Sequence, residues 1–236
     1  MTFELAKASV TLGLAALAAI VSPYAMADDA GWYAGVNAGQ SKANIDDARI
    51  TDALIGAGST ATSIADDDSD TGYKLYGGYK FNRHFAVEGG YFNLGSFGFE
   101  ASTVPAGTLS GRIKVQGLNL DLVGIVPFTD KFSAFGRVGA NYAEAKDSFS
   151  GTGAVNVIRP NPSKRETNVK YGLGLQYDFS KTLAMRLEAE RYRINDAVGN
   201  KGDIDLISVG LIYRFGAQTP APAPRAMAPE PVAAAP

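Results

Sequence analysis

Residues 203–215, DIDLISVGLIYRF, carry a large apolar side chain at every second position: Ile207, Val209, Leu211, Tyr213 and Phe215. Between them stand Leu206, Ser208, Gly210, Ile212 and Arg214. A period of two means a strand with two unlike faces. The run ends on aromatic residues, and a Pro/Ala-rich tail follows at once. At the edge of a water-soluble sheet so apolar a strand is an aggregation hazard. In a bilayer the same pattern is a lipid-facing strand. Hydrocarbon satisfies no backbone polar group, so such a strand must belong to a closed barrel.

Seven earlier stretches repeat the pattern, at residues 32–39, 73–81, 85–93, 118–126, 132–142, 169–179 and 183–189. The clearest is 169–179, with Val169, Tyr171, Leu173, Leu175, Tyr177 and Phe179 against Lys170, Gly172, Gly174, Gln176 and Asp178. Eight strands near the roughly 9–11 residues needed to cross a membrane obliquely predict an all-β, eight-stranded antiparallel transmembrane barrel. The connections alternate. Asn82-Arg83, Thr129-Asp130 and Ser180-Lys181 are tight turns, whereas 41–70, 96–111, 146–165 and 195–202 read as long loops. Aromatic residues such as Tyr79, Phe85, Phe132 and Phe179 gather beside the short turns, where a periplasmic girdle is expected. No proline falls inside a proposed strand, as the ladder requires.

Composition narrows the class. The chain has 236 residues, a net charge of −2 and no cysteine. That balance provides no basic field for nucleic acid and no disulfide staple. A water-soluble sandwich or lipocalin-like barrel would also alternate, but with its apolar face inward and its charges outward. Here each strand's charges share a face with Gly and Ser, and the opposite face is nearly uncharged.

Residues 1–27 read as a signal peptide cleaved after Ala27, on the apolar run 10–21 and the Ala25-Met26-Ala27 pattern. The run is too short to span a membrane as a helix. With no cysteine after the cleavage site, lipoprotein anchoring is not expected. The barrel is assigned to residues 28–216, and residues 217–236 to an extended Pro/Ala-rich tether in the periplasm.

WYAGVNAGQS, YGGYKFNRHFAVEGGYFNLGSF, VQGLNLDLVGIVPFTDKFSAFGRVG and MRLEAERY with LISVGLIYRFG resemble the N-terminal barrel of OmpA-type outer-membrane proteins. The tail resembles that family's hinge, which commonly leads to a peptidoglycan-binding domain. The chain ends at Pro236, so those residues have no counterpart. The resemblance implies an acid–base cluster inside the barrel. Its central Glu and Arg correspond to Glu88 and Arg186, with Glu188 and Arg137 nearby. In the family the Glu–Arg pair is proposed to re-form with another partner as a gate; here the alternative Lys falls at Val123 and a second Glu at Gln176, which weakens the expectation of such a gate. The resemblance also implies that Phe215, the last of the barrel-closing aromatics Tyr213 and Phe215, serves as the signal read by the barrel-assembly machinery.

The interior charges expected from the alternation are Lys74, Lys80, Glu88, Asp121, Arg137, Arg186, Glu188 and Glu190. An eight-stranded barrel is just wide enough for side chains to fill. These charges therefore form either a salt-bridged plug or a narrow, intermittently open ion path. His84, the single histidine, follows a short turn with no serine obviously beside it, so catalysis is not expected. The run Asp66-Asp67-Asp68-Ser69-Asp70 offers carboxylates for calcium but misses the EF-hand spacing. An acidic, solvated loop fits it equally. The expectation is a monomeric, non-catalytic protein of the Gram-negative outer membrane, without cofactor or metal. Its partners are outer-membrane lipid, lipopolysaccharide and the assembly machinery, and its role is structural, in envelope integrity. The alternatives are a low-conductance porin and a surface ligand, an adhesin or phage receptor whose loops meet host or phage molecules.

Overall fold

In a computed structural model the described residues are 30–44, 60–153, 155, 161–195 and 201–216. They form β1 (Gly31–Asn44), β2 (Thr60–Asp67), β3 (Ser69–Lys80), β4 (Phe85–Val104), β5 (Gly107–Pro127), β6 (Phe132–Gly153), β7 (Ser163–Asp178), β8 (Leu183–Asn195) and β9 (Lys201–Arg214). Every neighbouring pair is antiparallel. Closure comes from β1 against β9, in register from Tyr33↔Arg214 to Asn44↔Asp203. β2 and β3 both pair with β4, β2 beside its far end and β3 beside its near end, with a break at Asp68. They occupy one position in the barrel, which is therefore eight-stranded. The proposed signal peptide, the tail and residues 45–59 and 196–200 lie outside the described residues.

One of the expected long loops is almost wholly strand, and two more are strand in part. Residues 96–111 form a hairpin in which β4 and β5 pair without interruption up to Thr103↔Gly107, turning at Pro105-Ala106. β6 runs on through 146–153, and β1 and β2 take up parts of 41–70. The reason is an inverted pattern. Beyond the membrane the apolar side chains point inward, as Phe97, Phe99, Leu109, Ile113 and Phe149 do. Ser and Thr such as Ser110, Ser148 and Ser150 point outward, so the apolar-outward alternation stops where the strands do not. A bulge at Gly95 makes the switch on β4: the inward positions are Glu88, Phe92 and Leu94 before it and Phe97, Phe99 and Ala101 after it. Gly95 has φ of +92°, and a Cβ there would meet the Asp70 carboxylate at 2.6 Å.

The outward face carries a continuous apolar belt. Trp32, Leu75, Leu120, Leu173 and Ile207 are each more than 60% exposed. No water-soluble monomer leaves such a belt uncovered. Near the short turns it is edged by ring pairs, Trp32–Tyr79 at 5.0 Å, Tyr177–Phe179 at 5.3 Å and Tyr213–Phe215 at 5.3 Å. At the other rim it ends on a polar collar containing Gln40, Gln116, Glu144, Arg165, Arg191 and Asp205. Inside, three layers stack. An aromatic and aliphatic layer near the short turns holds Tyr33, Tyr76, Val123, Phe135 and Ile212. A charged layer lies in the middle. A second apolar layer begins with Phe92, Leu94, Val115, Tyr192 and Leu206 and runs on into the extended hairpins.

Candidate functional site in the barrel interior

Strand alternation brings the inward charges to one level. Glu88 on β4 lies opposite Asp121 on β5, and Arg186 and Glu188 on β8 face them across the lumen. Glycines on the same inner face give the long side chains room: a Cβ at Gly172 would meet Glu190 Cγ at 2.8 Å. Glu88 Oε1 accepts hydrogen bonds from Arg186 Nη1 and from the Tyr33 hydroxyl, each at 2.6 Å. Glu88 Oε2 stands 3.0 Å from Arg137 Nη1. Arg137 Nη2 donates to Glu188 at 2.8 Å. Lys74 Nζ bridges Glu188, at 2.7 Å, and Glu190, at 2.5 Å. Lys170 Nζ bridges Asp121 and Glu190, both at 2.8 Å.

The network is self-neutral: the four cations Lys74, Arg137, Lys170 and Arg186 meet the four carboxylates Glu88, Asp121, Glu188 and Glu190. All eight residues are buried, none more than 4% exposed. Charges taken from water are tolerable only when paired and hydrogen-bonded. Aromatic faces add to the pairing. The Arg186 guanidinium lies 4.6 Å from the Phe135 ring centroid, and Lys170 Nζ lies 4.7 Å from that of Tyr192.

Six residues expected inside, Glu88, Asp121, Arg137, Arg186, Glu188 and Glu190, and with them Lys74, meet in this one network. Lys80 stands apart at the short-turn rim. There it lines a vestibule of about 180 Å³ that reaches inward as far as Arg186 and Gln176. Lys170 is a member that the sequence reading passed over. Its signal was present: it shares the inner face of 169–179 with Gly172, Gly174 and Gln176. Gln176 supplies a neutral acceptor, taking a hydrogen bond from Arg186 Nε at 2.9 Å. Val123 sits in the apolar layer.

The remaining singled-out residues lie elsewhere. Tyr213 and Phe215 face outward, and the Phe215 amide donates to the Trp32 carbonyl at 2.9 Å. His84 is exposed in the turn after β3, its Nδ1 3.3 Å from the Ile125 carbonyl oxygen. The acidic run is drawn out along the strands rather than gathered around an ion. Asp68 pairs with Lys42 at 3.4 Å, and Asp70 accepts from the Ser96 amide at 2.6 Å, holding the Gly95 bulge. Among the described residues no group of three or more His, Cys, Asp or Glu side chains is placed to hold a metal.

Residues 27–219 match the family described as the OmpA-like transmembrane domain. The chain belongs to this family. It is 28% identical to outer membrane protein A of Klebsiella pneumoniae over 198 residues, 81% of this chain and 53% of the relative. It is 27% identical to outer membrane protein A of Salmonella typhi over 219 residues, 91% of this chain and 56% of the relative. The chain thus spans about half the length of the curated relatives it matches. The crystal structure of Neisserial surface protein A shares the fold. Its TM-score is 0.50 at 13% identity, over 78% of this chain and 97% of that one. With the closed barrel and the apolar belt, these relationships make the OmpA-like chain an integral β-barrel of the Gram-negative outer membrane.

Proposed function

We propose that this OmpA-like barrel serves as a closed structural element of the outer membrane, contributing to envelope integrity without catalysis and without passing solutes. One observation carries this reading. The charged layer is bounded on one side by Tyr33, Tyr76, Phe135 and Ile212 and on the other by Phe92, Leu94, Tyr192 and Leu206. Phe92 and Tyr192, from strands on opposite sides of the lumen, bring their ring centroids to 4.8 Å directly above the charges. An ion path would need water to cross both apolar layers and to break a self-neutral network. Planar-bilayer recording of the folded protein tests it. Silence is the expected result, and reproducible unitary currents would establish the low-conductance porin instead.

A second reading rests on a different feature. The β4–β5 hairpin and the end of β6 continue well past the collar, β4 by the stretch from Gly95 to Val104. At about 3.3 Å per residue that is roughly 30 Å of strand. With the long connections facing outward, this arm is a rigid surface for meeting host or phage molecules. Deleting residues 97–113 and measuring phage adsorption or host-cell attachment checks it: unchanged adsorption and attachment would remove the ligand role.

A further inference from the structure

The polar collar is uneven around the barrel. In the β8–β9–β1 sector the described outward charges are matched by carboxylates. Arg191 holds Asp205 through two contacts of 2.6 Å, Asp203 lies 3.9 Å from Arg191, and Lys42 pairs with Asp68 at 3.4 Å. Among the described side chains Arg193 completes a set of three cations and three carboxylates there, Asp68 joining it from between β2 and β3. The β5–β6–β7 sector differs. Lys114 on β5 stands directly opposite Lys146 on β6, and Arg112 lies two residues farther along β5. Arg165 on β7 is opposite Glu144. Four cations here face two carboxylates. Glu144 accepts from Arg165 at 2.7 Å and lies 3.3 Å from Lys146, and Glu100 is diagonal to Arg112. Among the described residues no ion pair engages Arg112 or Lys114.

Two lysines facing each other across a ladder repel, and such a pair opposes pairing of the strands. Its position makes the arrangement intelligible. Lys114 and Lys146 are the first outward charged pair beyond the lipid belt, two residues past Gln116 and Glu144 and four past Leu118 and Tyr142. That is the level of the lipid head groups, within reach of long cationic side chains. The Arg165–Glu144 contact depresses the Glu144 carboxyl below its ordinary range, chiefly through the guanidinium hydrogen bond, so this carboxylate stays charged and keeps Arg165 in place.

We propose that Arg112, Lys114, Lys146 and Arg165 form a binding site for the phosphate groups of a phosphorylated glycolipid in the outer leaflet. This face of the barrel thereby acquires a fixed lipid neighbour. The Lys114–Lys146 pair takes one phosphate between its two ammonium groups, which turns cross-strand repulsion into a bridge. Arg112 and Arg165 flank it with donors suited to a second. The inference rests on the outer-membrane location and not on whether the lumen conducts.

The test uses the full chain in neutral detergent micelles. Bisphosphorylated lipid A is titrated in, and bound lipid is counted by native mass spectrometry. The Lys114→Gln/Lys146→Gln variant should bind about thirtyfold more weakly, from the loss of two surface cations. Lys42→Gln/Arg193→Gln, which removes the same net charge from the balanced sector, should bind like the wild type. Dephosphorylated lipid A should bind weakly to all three proteins. Heat-modifiable gel mobility confirms that each variant is folded. Equal binding by the two double variants, or equal binding of phosphorylated and dephosphorylated lipid, would overturn the proposal. So would displacement of the lipid by equimolar inorganic phosphate.

Discussion

Arg186 on β8 and Glu88 on β4 meet at 2.6 Å across the lumen, although neither strand neighbours the other. The pair is a strut between opposite walls. Its energetic weight depends on what remains when one member is lost. Without Arg186, Glu88 keeps Arg137 at 3.0 Å and the Tyr33 hydroxyl at 2.6 Å. Arg137, by contrast, lies within 3.5 Å of all four carboxylates of the layer. Both Arg137→Leu and Arg186→Leu leave a buried negative charge uncompensated, at about 3–5 kcal/mol. Arg137→Leu is expected at the upper end and Arg186→Leu at the lower. The charge-neutral double variant Glu88→Leu/Arg186→Leu should recover part of the loss. Urea titration of the barrel in lipid vesicles, read by heat-modifiable mobility, orders the three.

The aromatic lid above the charges supports a prediction about permeability. Phe92 and Tyr192 are fully buried and pack at 4.8 Å. Truncating both, Phe92→Ala/Tyr192→Ala, opens the apolar layer on this side while leaving every ion pair, and the layer of Tyr33, Tyr76, Phe135 and Ile212, in place. Ion currents are expected from the double variant in planar bilayers where the wild type is silent. If the variant is also silent, the charged layer and the apolar layer of Tyr33, Tyr76, Phe135 and Ile212 suffice as the seal.

The Gly95 bulge decides whether the extended hairpin has an apolar inside. Any side chain there is strained at φ +92° and collides with Asp70. Gly95→Val should therefore loosen the hairpin beyond the bulge at a cost of about 1–3 kcal/mol. The lipid-embedded strands should remain intact. Limited proteolysis of the variant in vesicles is expected to cut between residues 96 and 113, where the wild type resists, and to leave a protected barrel core.

How far the sequence could be read follows from the same inversion of faces. The membrane segments announce themselves because a lipid-facing strand cannot carry charge: Ile207, Val209 and Leu211 on β9 leave no other reading. The inward charges follow by alternation from those outward residues. Lys170 follows equally, since it shares the counter-face of 169–179 with Gly172, Gly174 and Gln176. The arms of β4, β5 and β6 read as loops in the sequence because Phe97, Phe99 and Ile113 bury inward while Ser and Thr face water, a weaker pattern interrupted by the bulge at Gly95. Which charges pair depends on distances across the lumen between strands far apart in sequence, such as Lys74 and Glu190. No local pattern encodes those.

At the collar, Asp205 gives a pH dependence of known sign. The Arg191 guanidinium donates to it twice and holds its carboxyl below the ordinary aspartate range. A depressed folded-state value means that the pair stabilises the barrel above the unfolded value of about 4. The contribution is lost as pH falls through the lower, folded value. The pair is part-exposed, so its size is that of a surface bridge, below about 1 kcal/mol. The stability difference between wild type and Asp205→Asn should be constant from pH 8 to pH 5 and shrink below pH 4. A difference that grew on acidification would contradict the assigned pairing.

The end of β9 separates stability from assembly. The Phe215 ring is about half exposed toward lipid and packs edge-on against Tyr213 at 5.3 Å. Its backbone amide, not its ring, fastens the chain end to Trp32. Phe215→Ala therefore keeps the closing hydrogen bond and loses only an exposed ring with one aromatic neighbour, worth about 1 kcal/mol. Purified Phe215→Ala barrel should refold into vesicles with nearly wild-type stability. If the closing aromatic is also what the assembly machinery recognises, the level of this variant in the outer membrane of living cells should fall several-fold. A proportionate drop in both measurements would assign the residue to stability alone, and wild-type levels in cells would remove the recognition role.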